Sequence, residues 1–217
     1  MKKVVLLGAG GYCCGVLDSL KKMPEYQVIG ITDPIMTGEV HGIPVLGTDH
    51  ILPELYAQGV HYAHITVGTV GSPAVRKKLV ADAKKIGFEL ISVIDPTAVI
   101  AEHVELGDMV YVGKRAVINS NVLIGDYCMI NTGAIVEHGC RLGEFVHVAP
   151  GAVVAGDVII GNESHIGLNA SVLQGVKIAE NVIIGAGSTV IGNVAAGQTV
   201  YGLSLIHISE PTRLQLI

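Results

Sequence analysis

Aliphatic residues recur at every sixth position over nearly half of the chain. The column opens at Ile94, Ile100, Leu106 and Val112 and runs unbroken through Val136, Val148 and Ile166 to Val190. A second column, four residues behind each member, holds only small residues or Val, among them Ala98, Ala116, Cys128, Ala134, Cys140 and Ser164. A period of six is neither the alternation of an ordinary strand nor the 3.6-residue period of a helix. It predicts a triangular prism in which each hexad supplies one short strand and one corner. Three hexads close a turn, so residues 18 apart stack at the strand spacing of a parallel sheet, roughly 4.8 Å. Residues 94–202 therefore read as an all-β parallel β-helix of between five and six turns. Gly often follows the large aliphatic, as at Gly107, Gly125 and Gly161. The spacing slips by one at Ile191-Gly192, and residues 203–217 share nothing with the repeat. That tail reads as a frameshift remnant or a short cap, with no function assigned.

Residues 1–93 follow a different pattern. Val4 to Leu7 is a continuous apolar run ending in Gly8-Ala-Gly-Gly-Tyr12, and a helical pattern follows to about Met23. A strand from Val28 to Thr32 ends at Asp33, and a turn-rich stretch then holds Gly38, Gly42, Pro44 and Gly47. Further elements are helices near 49–58 and 73–86, a strand from Ala63 to Val67 and a strand from Glu89 to Val93. Alternating strands and helices imply an α/β, Rossmann-like domain with a small parallel sheet.

Composition agrees with this division. Half of the residues are hydrophobic but only 4% are aromatic, and there are 28 Gly. A core without aromatic anchors suits many short, similar strands, and Gly tolerates the dihedrals of corners. The net charge of −5, with both signs interspersed, offers no basic footprint for nucleic acid or an anionic membrane. No signal peptide or membrane-spanning run is evident, so a cytoplasmic setting is expected. The four cysteines form neither a CxxC pair nor a zinc spacing. Cys128 and Cys140 fall on the small-residue column, which assigns them to packing.

The glycine turn offers bare N–H groups and the positive end of a helix to a phosphate. Asp33, 25 residues after Gly8, stands where a dinucleotide fold places its ribose acid. NAD is the obvious reading. A unit of about 93 residues, half of a full dinucleotide fold, favours a nucleotide-sugar diphosphate instead. On the β-helix, His147 and His165 are 18 apart and stack on consecutive turns. His138 and His147 are nine apart and point to different sides of the prism. They can share a site only if a second copy supplies one of them. A metal is not expected, because Met129 and Ile183 flank the histidine pair on its column. Asn131 and Asn169 face outward by register and could hold polar groups of a ligand.

Five segments together carry a family resemblance. They are Gly8-Ala-Gly-Gly-Tyr12, Gly42-Ile-Pro-Val-Leu-Gly47, Pro96-Thr-Ala98, Asn131-Thr-Gly-Ala-Ile-Val-Glu-His138 and Gly143-Glu-Phe-Val-His147. Through them residues 3–202 resemble the nucleotide-sugar N-acetyltransferases of the bacillosamine and perosamine pathways, with the related sialic-acid O-acetyltransferase-like proteins. The resemblance implies a left-handed β-helix, a homotrimer, and acetyl-CoA bound between neighbouring helices. It implies His138 as the general base and His147, Gly156, Leu168 and Ala186 as acetyl-CoA contacts. It places Gly10, Gly11, Tyr12, Asp33 and Gly68 in the nucleotide-sugar pocket, to which the register adds Asn131. The family often has an acid directly after the base, where this chain has Gly139, and many members have His where it has Tyr12. The implied reaction is acetyl-CoA-dependent N-acetylation of a nucleotide-linked 4-amino-4,6-dideoxy sugar by direct transfer. The alternatives are O-acetylation of a sugar or sialic acid, and a non-catalytic nucleotide-sugar-binding protein.

Overall fold

The computed structural model describes residues 1–204, so residues 205–217 of the expected tail lie outside it. The first unit is a six-stranded sheet in the order β3-β4-β2-β1-β5-β6. Its strands are β1 (Lys2–Leu7), β2 (Tyr26–Thr32), β3 (Glu39–Val40), β4 (Ile43–Gly47), β5 (Tyr62–Ile65) and β6 (Glu89–Leu90). The helices are α1 (Gly11–Leu20), α2 (Leu52–Ala57) and α3 (Ala74–Ile86). Val4, Val5, Leu6 and Leu7 are all fully buried, because β1 lies in the middle of the sheet with cover on both faces.

The sheet is mixed rather than wholly parallel. The stretch expected to be only turns contains β4, parallel to β2, and an antiparallel hairpin from β3 into β4. Its Gly and Pro residues hid the strand. Gly30 on β2 makes room for it, since a Cβ there would fall 2.3 Å from Leu46 Cδ1. The expected strand Glu89 to Val93 also divides. Glu89–Leu90 stays with the sheet, while Val93–Ile94 is the first strand of the second unit.

That second unit is a left-handed parallel β-helix with three faces, two of seven strands and one of five. On the first face Val93, Tyr111, Met129, His147, His165 and Ile183 stand in register, 18 apart. Both sequence columns point inward and form one continuous aliphatic core. Cys128 and Cys140 are buried in it, each with its thiol against a carbonyl of the next coil.

The corners invert one expectation. Every sixth residue from His103 to Gly187 has a positive φ, yet ten of these fifteen are not Gly; Tyr127, Asp157 and Asn169 are examples. Hydrogen bonds between coils, such as Asp157 N–H to the His138 carbonyl at 2.9 Å, hold these strained corners. The glycines that follow the large aliphatic have another purpose. A Cβ on Gly125 would fall 2.7 Å from the Gly143 carbonyl carbon, and one on Gly161 2.5 Å from the Glu180 nitrogen. They are glycines because the next coil passes too close for a side chain.

Two further differences lie at the end of the repeat. Ile178 bridges to Val194, 16 residues on, so the coil is short by two residues rather than one. Thr189 then pairs with Leu203 across 14 residues, so the ladder continues two residues into the segment read as a tail.

Asp95 joins the two units. Its buried carboxylate accepts hydrogen bonds from Ser19 Oγ on α1 at 2.7 Å and from Thr97 N and Oγ1. Lys22 and Lys114 approach to 3.8 and 3.9 Å. Burial opposes the charge, but the Thr97 and Ser19 hydrogen bonds and Lys22 outweigh it and hold the carboxyl down at about 2.

Candidate active site

A cavity of about 440 Å³ lies between the two units, a size suited to a small-molecule ligand. One wall is the Gly11–Gly15 face of α1, and another is the segment Gly68–Val70. The floor is the first face of the β-helix, with Met129, His147 and His165.

The turn after β1 is built to stay open. Gly8 takes φ +110, and a Cβ there would meet Val67 at 2.8 Å, so the turn requires Gly. Gly10 and Gly11 have no heavy atom within 4 Å of an added Cβ. Asp33 braces the turn from outside the cavity. Its Oδ2 accepts from Ala9 N–H at 2.8 Å and its Oδ1 from Ile35 and Met36 N–H. Burial works against the Asp33 charge, yet these backbone bonds hold the carboxyl below its ordinary value.

Tyr12 rests edge-on against Tyr111, with its hydroxyl 3.3 Å from His64 Nε2. His64 Nδ1–H donates to the Ile91 carbonyl at 2.8 Å, so Nε2 accepts and the phenol donates. Burial, aided by the nearby Arg76 charge, drives His64 down to about 3. Burial also pushes the Tyr12 phenol up. Arg76 is buried behind this wall, where Nη1 donates to the carbonyls of Ile65 and Val67; among the described residues its Nε and Nη2 have no partner.

His147 is 7% exposed. Its Nδ1–H donates to the Thr69 carbonyl at 2.6 Å. Asn131 Oδ1 accepts from Thr132 N–H, which turns the amide so that Nδ2 faces His147 Nε2 at 3.3 Å. Both ring nitrogens of His147 are thus engaged. Burial and the neighbouring His165 lower its pKa to about 4. His165 lies edge-on to it, with ring centroids 4.8 Å apart.

The sequence grouping is redrawn at this cavity. Gly11, Tyr12, Gly68 and Asn131, read as sugar-binding, line it together with His147 and Leu168, read as coenzyme contacts. Gly10, Asp33, Gly156 and Ala186 do not line it, and neither does His138. His138 is exposed on a different corner, with its ring over the next coil. A Cβ on Gly156 would fall 2.7 Å from His138 Nε2. Gly139 has its own explanation: it takes φ +70, and Asp157 Oδ1 fills the space where a side chain would begin. Among the described residues no protein group hydrogen-bonds the His138 ring, and no cluster of three or more His, Cys, Asp or Glu side chains could hold a metal.

Sequence reasoning missed Lys114, Thr132 and Pro150. They continue the edge of Leu168 and Ala186 at the same 18-residue step, and register alone could have found them. Nothing in the sequence marked Arg76 or His64.

A hexad-built prism, a glycine-turn cavity and a histidine at an open corner define a hexapeptide-repeat acyltransferase. Comparison with known proteins gives the narrower family. Residues 3–83 match the PglD N-terminal domain, and residues 121–156 match the bacterial transferase hexapeptide (six repeats). A variant of perosamine N-acetyltransferase from Caulobacter crescentus, solved with CoA and GDP-perosamine, is 37% identical, with TM-score 0.87. The match covers 92% of this chain and 93% of that one. The acetyltransferase domain of PglB from Neisseria gonorrhoeae, solved with acetyl coenzyme A, is 31% identical over 93% of this chain and 96% of that one, with TM-score 0.86. WeeI from Acinetobacter baumannii is 27% identical over 92% and 96%, with TM-score 0.82. No curated protein matches the chain. The chain belongs to the nucleotide-sugar N-acetyltransferases and is an acyltransferase. No helix of the described residues is long and apolar enough to cross a membrane.

Proposed function

We propose that the protein transfers the acetyl group of acetyl-CoA to the amine of a nucleotide-linked 4-amino-4,6-dideoxy sugar. The sugar nucleotide occupies the cavity of one copy, and His138 comes from a neighbouring copy in a homotrimer. The observation that carries this reading is the separation of the cavity from His138 within one chain. The complexes of the Caulobacter relative with CoA and GDP-perosamine support both substrates.

In this scheme the glycine turn and the N-terminal end of α1 hold the diphosphate. Asn131 and Gly68 orient the sugar, and His147 shapes the floor beneath it. The edge formed by Thr132, Pro150, Leu168 and Ala186 runs along the prism at 18-residue steps, and Leu168, 52% exposed, offers an apolar surface to the pantetheine arm. Acetyl-CoA supplies the acyl carbon. The amine nitrogen attacks that carbon while His138 takes its proton; the C–S bond breaks, and the leaving CoA thiolate receives that proton from His138. The Gly156 N–H is the proposed donor to the developing oxyanion. The four unpaired cysteines suit a reducing compartment such as the cytoplasm.

His138→Ala is expected to lower kcat by roughly 10²–10⁴ while acetyl-CoA binding and oligomeric state stay unchanged. Steady-state kinetics with calorimetry tests this; a variant with full kcat overturns the assignment of the base.

A further inference from the structure

His165 is the second histidine of the stacked pair, and the scheme above gives it no task. It stands on the cavity floor one coil beyond His147. The two rings differ in what their nitrogens do. His147 is committed to protein on both sides, to the Thr69 carbonyl and to Asn131 Nδ2. Such a ring can shape the cavity but has no free nitrogen to offer a ligand. Among the described residues, His165 Nδ1 is buried without a hydrogen-bond partner. Ile183 forms the next rung of its ladder and offers no side-chain hydrogen bond. Nε2 is then the only nitrogen through which this imidazole can make a polar contact. Burial also lowers the pKa of His165, so the ring stays neutral at neutral pH and can serve as donor or acceptor without desolvating a charge.

We infer that His165 Nε2 is the side-chain contact for a polar substituent of the sugar ring, and that it sets affinity for the sugar part of the nucleotide sugar. This rests on the proposed acetyl transfer to a nucleotide-linked amino sugar. The assignment to the sugar, rather than to the coenzyme, follows from place. His165 shares its wall with His147 beneath the Gly68–Val70 segment, in the space reached from the glycine turn. His138 and Gly156 lie on another corner.

The ring's packing and its nitrogen can be separated. His165→Phe keeps an aromatic edge against His147 but removes both nitrogens. His165→Asn restores a short polar group without the ring. In His165→Phe, KM for the nucleotide sugar is expected to rise about tenfold, the usual worth of one good hydrogen bond, with KM for acetyl-CoA unchanged. His165→Asn should recover part of that loss. Calorimetry with the nucleoside diphosphate alone, which lacks the sugar, should give the same Kd for wild type and His165→Phe. A Phe variant with wild-type KM shows that the ring only packs, and overturns the inference. A change confined to acetyl-CoA or to the bare nucleoside diphosphate overturns it as well. Wild-type protein that acetylates no nucleotide-linked amino sugar would sink the underlying reaction instead, a result distinct from either.

Discussion

The cavity floor and the His138 corner are two parts of one prism built from the same hexad, yet they are opposites. The floor is covered by the N-terminal unit, and its two histidines are stacked, His147 buried and His165 half-buried. At the other corner the His138 imidazole is exposed and does not line that cavity. One region has a cavity but no exposed imidazole, and the other has an exposed imidazole away from that cavity. The contrast teaches that cover, not repeat sequence, decides what a histidine on this prism can do. Under the proposed acetyl transfer, a working site would draw on two copies of the chain.

The corner is the easier of the two to break. Gly156 leaves the space that the His138 ring occupies, so Gly156→Ala forces the ring aside. Because misplacing a reacting group by about 1 Å can cost on the order of 10²-fold, kcat should fall by about that factor. Thermal shift with nucleotide sugars should be unaffected, since the cavity lies elsewhere; a normal kcat would show that the ring's position over Gly156 is irrelevant.

The covered region depends on its junction. Asp95 has a carboxyl lowered from 3.8 to about 2, so its stabilisation is complete above the ordinary carboxylate range and is lost as pH falls through about 2. Asp95→Asn is expected to cost about 2 kcal/mol at neutral pH, read by denaturant unfolding. A variant as stable as wild type would remove Asp95 from the account of how the units are joined.

The smallest effect is a pH dependence of the covered region. His64 and His147 have folded pKa values of about 3 and 4, below the 6.5 of an exposed imidazole. The unfolded chain therefore binds more protons below pH 6.5, and stability falls with pH from there toward 4. Between pH 7 and pH 6 the loss should be about 1 kcal/mol. His147→Gln should flatten the curve. A curve as steep as wild type would remove the His147 ring from the pH dependence of the covered region.

Much of this was legible from spacing. The aliphatic and small columns, the 18-residue stacking and the His147/His165 pair follow from side-chain direction, which a strict repeat repeats without error. Spacing also separated His138 from His147. It could not say which glycines serve close approach and which serve dihedrals, because that depends on the coil above; Gly125 and Gly139 look alike in the sequence. It did not show that Gly11, Tyr12, His147 and Leu168 share one cavity, since how the N-terminal unit sits on the prism is fixed by long-range contacts such as Ser19 with Asp95. β4 was lost among Gly42, Pro44 and Gly47, where local turn signals outweighed a short alternating strand. Arg76 and His64 carry no sequence signature, because burial without a charge partner is a property of the packed state alone.

The central claim, one site built from two copies, is tested most directly by mixing two inactive variants. Gly11→Phe fills the cavity from a position with open space around it, and His138→Ala removes the base. Co-expressed with different tags and purified as mixed oligomers, the two should regain transfer activity. In every mixed trimer one site in three, about a third, would pair an intact cavity with an intact His138 from the neighbour. Activity near that fraction of wild type is the expected result. Mixed oligomers as inactive as their parents would mean that each chain uses its own His138, and would contradict the account.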